Sequence, residues 1–467
     1  MDLRELIGTM RELSRPSEDE SRQLMELANS LVSSVREIFR GVMGFRDVSL
    51  EGSAARGTWT RQNPEVDVFV HFDADLPVDI LEEVVVKRGI EAVTRLGGTY
   101  RLRYADHPYV EGIFSRMKAN VVGCYDVPPG HWKSPVDRTP YHTKYIVSKM
   151  TDELRDDARA LKFLLSKIDA YGAEVRVKGF SGYLAELLVI AFRSLENLLR
   201  EASKWKYPVF IDIESTVDYN EAITKFPRDP LIVIDPVDRN RNVASAVSLT
   251  RLSEFVLFSK LLLNRPSLKF IDGRWASPDE RGLRDALKGR ETLMVKFRLN
   301  GQTPPDVLWG ELYRSLKGIV RSLEVEGFSV YRSSVFVPDS EAFIMLELDS
   351  LTLPTLYKQI GPPVYISDVV AFVEKHNKDD RTVSGPWVEG DRVYYLKRRE
   401  ETRADQVLLR KLRKNEVSIS RELSRSVMNA TISTDREVIV RELLGVRDGD
   451  RWLHEFLIGR YVRMRDE

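Results

Sequence analysis

The spacing of apolar residues predicts alternating helices and strands in the first third of the chain. A capping box formed by Ser17 and Glu20 is followed by apolar positions every three or four residues, which is typical of an amphipathic helix. The run EVDVFVHF (Glu65–Phe72) largely alternates between polar and apolar positions and predicts a half-buried strand. A helix over Asp79–Leu96 and strands in GTYRLRYA, HPYVEGIF and MKANVVGCY complete a mixed α/β section that ends near Ile146.

The pattern changes twice after that section. From Val147 to about Arg265 it is mainly helical, with periodic apolar positions in DELRDDARALKFLLSKI, GYLAELLVIAFRSLENLLREASKW and LTRLSEFVLFSKLLL. LIVID, before the last of these, reads as a buried strand followed by a basic turn. A third section contains strands in ETLMVKFRLN, EGFSVYRSSVF and EAFIMLEL. Gly361-Pro362-Pro363 and Gly385-Pro386 are predicted to be turns in that section. The pattern as a whole indicates an α+β protein with several domains.

Composition excludes some classes of protein. The 467 residues are 43% hydrophobic and 30% charged. Because 71 basic residues balance 71 acidic ones, the net charge gives no sign of a nucleic-acid partner. The segment Asp391–Arg425 nevertheless holds 11 Lys and Arg against 6 Asp and Glu, which is a local basic excess. Cys124 is the single cysteine, and neither a signal peptide nor a membrane-spanning run is evident. We therefore expect a soluble cytoplasmic protein without a membrane partner.

Candidate chemistry is concentrated around residues 52–67, which read GSAARGTWTRQNPEVD. Alternation places Glu65 and Asp67 on one face of a strand, where two like charges are unfavourable unless a cation or proton lies between them. The Gly52-Ser53 turn, followed by a helical turn over Ala54–Trp59, could offer backbone donors and a hydroxyl to phosphates. The alternative is an ordinary solvated strand face. The spacing of turn and carboxylates favours metal-assisted nucleotide transfer.

The same residues carry a resemblance. GSAARGTW followed by EVDVFVHF resembles the G-S…E/D-x-D signature of the DNA polymerase β nucleotidyltransferase superfamily. Four further stretches resemble the archaeal-type, class I CCA-adding enzymes, which build the 3′-terminal C-C-A of tRNA from CTP and ATP without a nucleic-acid template: YADHPYVEG, SPVDRTPYHTKYI, YGAEVRVKGFSGYLAELL and DPVDRNRNVASA. The matches keep their order over most of the chain.

The resemblance implies a role for a set of side chains. Glu65 and Asp67 would bind Mg²⁺, and Asn120 occupies the position of the third catalytic carboxylate. The incoming nucleotide would be contacted by Ser53, Arg56, His142, Lys162, Tyr171 and Arg241. Each of the last four residues also has a structural alternative: a hydrogen-bonded turn histidine, a solvated helical lysine, a core tyrosine and a basic loop contacting phosphate.

Asn120 is where the sequence departs from the family. The stretch reads Ala119-Asn120-Val121-Val122-Gly123-Cys124-Tyr125. The corresponding pattern in the family resembles V-D-V-V-P-C-Y, with the third carboxylate at the position of Asn120. An amide oxygen can ligate Mg²⁺ weakly, but it supplies no charge and accepts no proton from the primer hydroxyl. We therefore expect transfer by this chain to be slow or absent. An engineered change and a natural variant are both open as its origin.

The resemblance also implies a division of the chain and a set of partners. Residues 1–146 would form the nucleotidyltransferase head, with a small mixed sheet plus helices, and 147–265 a helical neck that recognises the base. An α/β body from 266–325 with 398–467 and a tail from 326–397 would hold the acceptor stem and T-arm of tRNA. Monomer and homodimer are both open. The rival interpretations are a poly(A)-type template-independent polymerase and a tRNA-binding pseudoenzyme.

Overall fold

The structure is a computed structural model that describes residues 1–104, 108–271, 279–299, 303–427 and 429–459. The chain forms two compact units, which comprise residues 1–274 and 275–467. Residues 105–107, in the middle of the YADHPYVEG stretch, lie outside the described residues.

The first unit contains helices and strands in mixed order. Its helices are α1 (Leu3–Ser14), α2 (Glu18–Phe39), α3 (Gly52–Arg56), α4 (Val78–Arg95), α5 (Thr139–Lys149), α6 (Asp152–Lys167), α7 (Gly182–Phe192), α8 (Leu195–Ala202), α9 (Tyr219–Lys225) and α10 (Leu249–Asn264), with 3₁₀ turns at Pro135–Arg138 and Leu268–Phe270. Its strands are β1 (Phe45–Glu51), β2 (Glu65–Phe72), β3 (Thr99–Tyr104), β4 (Pro108–Phe114), β5 (Met117–Tyr125), β6 (Val209–Ile211), β7 (Leu231–Asp235) and β8 (Asp238–Asn242).

The main sheet of this unit has the order β1-β2-β5-β4-β3, in which only the β2–β5 pair is parallel. Helices α2 and α4 supply Leu31 and Val85 to a core that also contains Val68 and Val121 from the sheet. β2 has the predicted bounds, because its alternation places the valines in this core and Glu65 and the other polar residues on the opposite face.

One predicted helical stretch is divided into two helices. GYLAELLVIAFRSLENLLREASKW does not form a continuous helix, because Arg193 takes a left-handed conformation with φ 62° and ends α7. Ser194 then caps α8 by accepting a hydrogen bond from the backbone N–H of Asn197. The N-cap preference of serine therefore outweighs the continuous apolar pattern on which the prediction rested.

The second unit is also mixed. Its helices are α11 (Glu280–Leu287), α12 (Pro305–Glu326), α13 (Val369–Asn377), α14 (Ala404–Arg413), α15 (Arg421–Val427), α16 (Arg436–Leu444) and α17 (Gly449–Ile458). Its strands are β9 (Glu291–Arg298), β10 (Val330–Phe336), β11 (Glu341–Leu348), β12 (Leu356–Pro363), β13 (Thr382–Glu389), β14 (Arg392–Arg398) and β15 (Thr431–Ser433). They form sheets of order β10-β11-β9-β15 and β12-β14-β13.

The two Gly-Pro stretches are not turns. Gly361-Pro362-Pro363 lies at the end of β12, and Gly385-Pro386 lies inside β13. Both strands are edges of the three-stranded sheet, with β14 between them. An edge strand has one side without ladder partners, so it tolerates a residue that lacks a backbone N–H. The sequence rule for turns fails here for that reason.

The longest helices of the described ranges, α2 and α12, have 22 residues each and are amphipathic. Over the same ranges, no helix combines the length and the apolar character needed to cross a bilayer.

Candidate active site

The turn at Gly52 places Ser53 beside the acidic strand. Gly52 has φ +67°, and a Cβ at this position would collide with the carboxylate of Asp67. The turn therefore needs glycine, both for its backbone conformation and for this close approach. The helical turn predicted over Ala54–Trp59 begins earlier, at Gly52, and it ends where Gly57 takes φ +70°.

Asn120 lies between the two carboxylates of β2. The parallel register pairs Asp67 with Asn120 on β5, so the two side chains lie on one face of the sheet. The Asn120 Nδ2 donates to Glu65 Oε1 at 2.8 Å and to Asp67 Oδ1 at 2.9 Å. Its other amide atom, Oδ1, is buried and has no hydrogen-bond partner in the described part of the chain. Asn120, at the position where the family resemblance implies a third acid, is therefore in contact with Glu65 and Asp67.

The pair carries an unfavourable concentration of negative charge. Burial, together with the charge of Glu65, raises the pKa of Asp67 to about 6. The hydrogen bond from Asn120 and the charge of Arg56 act in the opposite direction, whereas Glu51 raises the pKa further. The site thus binds a proton more tightly than an ordinary aspartate, and a cation would relieve the same repulsion.

The donor set fits a hard divalent cation. Glu65, Asp67 and the free Oδ1 of Asn120 are oxygen ligands of the kind that Mg²⁺ prefers. Across the described ranges, however, no three His, Cys, Asp or Glu side chains are arranged to hold a metal ion. The site therefore has two carboxylates and an amide whose donating side faces them.

Arg56 and Lys162 meet at a buried carboxylate, Glu186 of α7. Arg56 Nε lies 3.0 Å from Glu186 Oε2, although the angle is not that of a hydrogen bond, and Lys162 Nζ lies 2.7 Å from Glu186 Oε1. Lys162 also donates to the backbone oxygen of Thr58 at 3.0 Å. Burial lowers the pKa of Lys162. The alternative of a solvated helical lysine is therefore wrong, since Lys162 is buried and hydrogen-bonded.

Tyr171 lies next to this cluster. A Cβ on Gly182 would lie 3.0 Å from the Tyr171 hydroxyl and 3.7 Å from Lys162 Nζ, so the two groups flank the same glycine. Burial raises the pKa of Tyr171, and the charges of Glu186 and Glu65 contribute in the same direction. The tyrosine is thus within electrostatic range of the acidic pair.

His142 and Arg241 meet at a second buried carboxylate, Asp235. His142 Nε2 lies 2.9 Å from Asp235 Oδ2, and Arg241 Nη1 donates to the same oxygen at 2.8 Å. The Tyr183 hydroxyl donates to Asp235 Oδ1 at 3.2 Å, and its ring stacks on that of His142. Burial opposes ionisation of Asp235, but the hydrogen bond from His142 and the charge of Arg241 lower its pKa. Burial also lowers the pKa of His142.

Three residues of these clusters were not selected from the sequence. Glu186 is the single charge in the apolar helix GYLAELLVIAF, and Asp235 follows four apolar residues at the end of LIVID. A carboxylate in a run that reads as buried indicates a buried partner, so both could have been found on that ground. Tyr183 has no comparable signal, because its role depends on its stacking on His142.

The basic region Asp391–Arg425 is only partly available to a ligand. Tyr395, Lys397 and Lys411 are buried. Lys397 pairs with Asp379 and Lys411 with Glu326, whereas Arg413 and Lys414 at the end of α14 are exposed. The positive excess therefore includes structural ion pairs as well as an exposed cationic end.

Matches to known families cover most of the chain. Residues 31–142 match the nucleotidyltransferase domain, 156–272 the second domain of tRNA nucleotidyltransferases and 288–435 the C-terminal domain of CCA-adding enzymes. The CCA-adding enzyme of Methanothermobacter thermautotrophicus is 37% identical over 383 residues, which is 81% of this chain and 82% of that enzyme. The chain belongs to the CCA-adding enzyme family.

Other relatives agree with this assignment. The CCA-adding enzymes of Methanopyrus kandleri and Pyrobaculum neutrophilum are 38% and 35% identical, over 84% and 88% of this chain and 82% and 94% of theirs. The resemblance to CCA-adding enzymes is thereby confirmed, as are the enzyme class and the multidomain α+β fold with a nucleotidyltransferase domain. Enzymes of this class generally use divalent metal ions.

Proposed function

We propose that this chain adds C, C and A to the 3′ end of tRNA from CTP and ATP, with release of pyrophosphate. The observation that carries the proposal is the contact between Asn120 and the Glu65–Asp67 pair beside the Gly52-Ser53 turn. This arrangement has the expected parts of a nucleotidyl-transfer site, and family membership supplies the reaction. Mg²⁺ held by Glu65 and Asp67 would, when bound, neutralise triphosphate charge and activate the primer hydroxyl.

The remaining side chains position the nucleotide. Ser53 and the backbone N–H groups of its turn bind the phosphates, and Arg56 adds positive charge that already reaches Asp67. Lys162 and Tyr171 support the phosphate and sugar from the Glu186 cluster.

Base recognition is assigned to Arg241 of the Asp235 cluster, whereas His142 of the same cluster is assigned to the phosphates and sugar. Asp235 holds His142 and Arg241 in one orientation, and the half-exposed guanidinium of Arg241 can donate to acceptors on either cytosine or adenine.

Asn120 limits the rate of transfer in this proposal. An amide cannot accept the proton of the primer hydroxyl, and it contributes no charge toward a catalytic cation. The loss of transition-state charge stabilisation corresponds to as much as several powers of ten in rate. Substrate binding depends on other groups and is retained.

The test is incorporation of labelled CTP and ATP into a tRNA acceptor–T-arm minihelix that lacks its CCA end. The chain is compared with its Asn120→Asp variant, which restores the carboxylate. CTP is expected to be incorporated before ATP, and faster by the variant. Equal rates would contradict the role of Asn120, and incorporation of ATP alone would indicate a poly(A)-type polymerase instead.

A second candidate is favoured by Asn120 alone. A tRNA-binding pseudoenzyme would bind tRNA with strong salt dependence and would transfer neither nucleotide, even after Asn120→Asp. The same assay therefore separates the two functions.

A further inference from the structure

Asp235 is a buried carboxylate that takes part in four polar contacts. Its Oδ2 accepts a hydrogen bond from Arg241 Nη1 at 2.8 Å and lies 2.9 Å from His142 Nε2. Its Oδ1 accepts from the Tyr183 hydroxyl at 3.2 Å and from the backbone N–H of Val237 at 3.1 Å. Because an ionised carboxylate only accepts hydrogen bonds, the contact with His142 requires a proton on Nε2.

The second ring nitrogen of His142, Nδ1, is left as an acceptor. Arg241 already balances the charge of Asp235, so a protonated His142 would add an uncompensated charge at a residue that is only 8% exposed. Burial lowers the pKa of His142, although the hydrogen bond to Asp235 acts in the opposite direction. A neutral ring with its proton on Nε2 has a lone pair on Nδ1, and this atom has no hydrogen-bond partner in the described ranges.

An acceptor distinguishes between the parts of a nucleotide. Ionised phosphate oxygens are acceptors themselves, so Nδ1 offers them no hydrogen bond. A ribose hydroxyl has a proton to donate and can bind to the same nitrogen. The neutral ring therefore favours the sugar over the phosphates.

The contacts of His142 connect the two ends of the proposed nucleotide site. Its ring stacks on that of Tyr183, with 4.1 Å between the centroids, and the guanidinium of Arg56 lies 5.9 Å from the centroid of the same tyrosine ring. Through Nε2 it shares Asp235 with Arg241. Arg56 is proposed to bind the phosphates and Arg241 the base. The sugar joins these two parts of a nucleotide, so a ribose hydroxyl is the donor expected at Nδ1.

We propose that His142 is a specificity-determining residue that accepts, through Nδ1, a hydrogen bond from a ribose hydroxyl of the incoming nucleotide. Asp235 is then a positioning residue, because it keeps the proton on Nε2, and Tyr183 orients the ring by stacking. The inference rests on the proposed function, since it concerns the sugar of the same nucleotide. It narrows the role of His142 to the sugar and predicts selection of ribonucleotides against deoxynucleotides.

The test is equilibrium binding of nucleotides to the full chain in Mg²⁺ buffer at neutral pH, without tRNA, by isothermal titration calorimetry. CTP is compared with 2′-deoxy-CTP and 3′-deoxy-CTP, which identify the hydroxyl concerned. One of the two analogues is expected to bind about threefold to tenfold more weakly than CTP, as for the loss of a single hydrogen bond. Equal affinities for all three nucleotides would overturn the proposal.

The direction of the hydrogen bond is tested with two further CTP analogues, substituted at the sensitive position of the sugar. A fluoro substituent cannot donate, so this analogue is expected to bind as weakly as the deoxy analogue. An amino substituent can donate and is expected to keep most of the affinity of CTP. The reverse order would mean that His142 is the donor, and it would overturn the assignment.

A variant separates the sugar contact from a structural role. His142→Phe removes the acceptor but keeps an aromatic ring for stacking on Tyr183, so it is expected to bind CTP and the deoxy analogue equally. His131→Phe is the matched control, because His131 is exposed, and it should retain the preference for CTP. If His142→Phe weakened both nucleotides by the same factor, the histidine would act through the fold, and the proposal would be overturned.

Failure of the proposed function has a different readout. Absence of CTP and ATP incorporation into the minihelix by the unaltered chain and by Asn120→Asp, with the preference for the ribonucleotide intact, would refute transfer alone. Incorporation of both nucleotides without a preference that depends on His142 would refute the role of His142 alone.

Discussion

Two kinds of carboxylate cluster lie in the first unit, and they are built in opposite ways. Glu186 and Asp235 are buried against positive or donating groups, namely Arg56 and Lys162 for the first and His142 and Arg241 for the second. Within the described ranges, Glu65 and Asp67 have no such ion-pair partner, and one amide bridges them. The first kind is neutralised by side chains of this chain, whereas the second is the kind for which we propose a cation.

The largest effect is expected from removing a neutralised carboxylate. Glu186→Gln would leave the buried charges of Arg56 and Lys162 without their counter-ion. The free energy of unfolding should fall by about 3–5 kcal/mol, as for other broken buried pairs. Urea denaturation followed by circular dichroism measures this loss, and an unchanged midpoint would mean that water already satisfies the cluster.

Removing a carboxylate from the Glu65–Asp67 pair should instead stabilise the metal-free fold. A raised pKa, about 6 against 3.8 for an ordinary aspartate, means that ionised Asp67 destabilises the metal-free fold. This cost is absent below about pH 4 and complete above about pH 7, where it amounts to at most about 3 kcal/mol. Asp67→Asn should therefore raise the thermal midpoint in EDTA at pH 8 and change it little at pH 4. A destabilised variant at pH 8 would contradict the repulsion.

Arg241 tests whether the Asp235 cluster reads the base. Arg241→Lys keeps the charge but loses the planar fork, so kcat/KM for CTP and ATP should fall about tenfold, which corresponds to ~1.4 kcal/mol. Arg239→Lys is the control, since Arg239 is exposed and pairs with Glu221. Steady-state kinetics on the minihelix measure kcat/KM for both variants. Equal effects of the two changes would reduce Arg241 to a general phosphate contact.

The smallest effect is expected at the exposed end of the basic region. Arg413→Ala removes one candidate phosphate contact, so tRNA affinity should fall a few-fold and the slope of log K against log salt should decrease by about 1. Arg436→Ala, an exposed change on α16, should leave both unchanged. Filter binding at several salt concentrations measures the slope, and equal slopes for the two variants would exclude Arg413 from the RNA contact.

The sequence predicted what depends on local pattern. The bounds of β2 and the shared face of Glu65 and Asp67 follow from alternation alone, and the structure has both. The contact of Asn120 with Glu65 and Asp67 depends on the register between β2 and β5, which local pattern does not give.

Long-range contacts explain the other gaps. The pairing of Lys162 with Glu186 and of His142 with Asp235 joins residues that are distant in sequence, so local pattern could not give it. The two positions were candidates only through the resemblance to the family. The prolines of β12 and β13 led to a wrong prediction of turns. Their position on edge strands, which tolerate proline, is a property of the assembled sheet and is not visible in the local sequence.

The central claim is that this site transfers C and then A to tRNA at a rate limited by Asn120. The most direct measurement is single-turnover incorporation of labelled CTP and then ATP into the minihelix, by the unaltered chain and by Asn120→Asp. The account predicts CTP before ATP for both proteins, with the variant faster by at least about tenfold. No transfer by Asn120→Asp, or transfer of ATP alone, would contradict it.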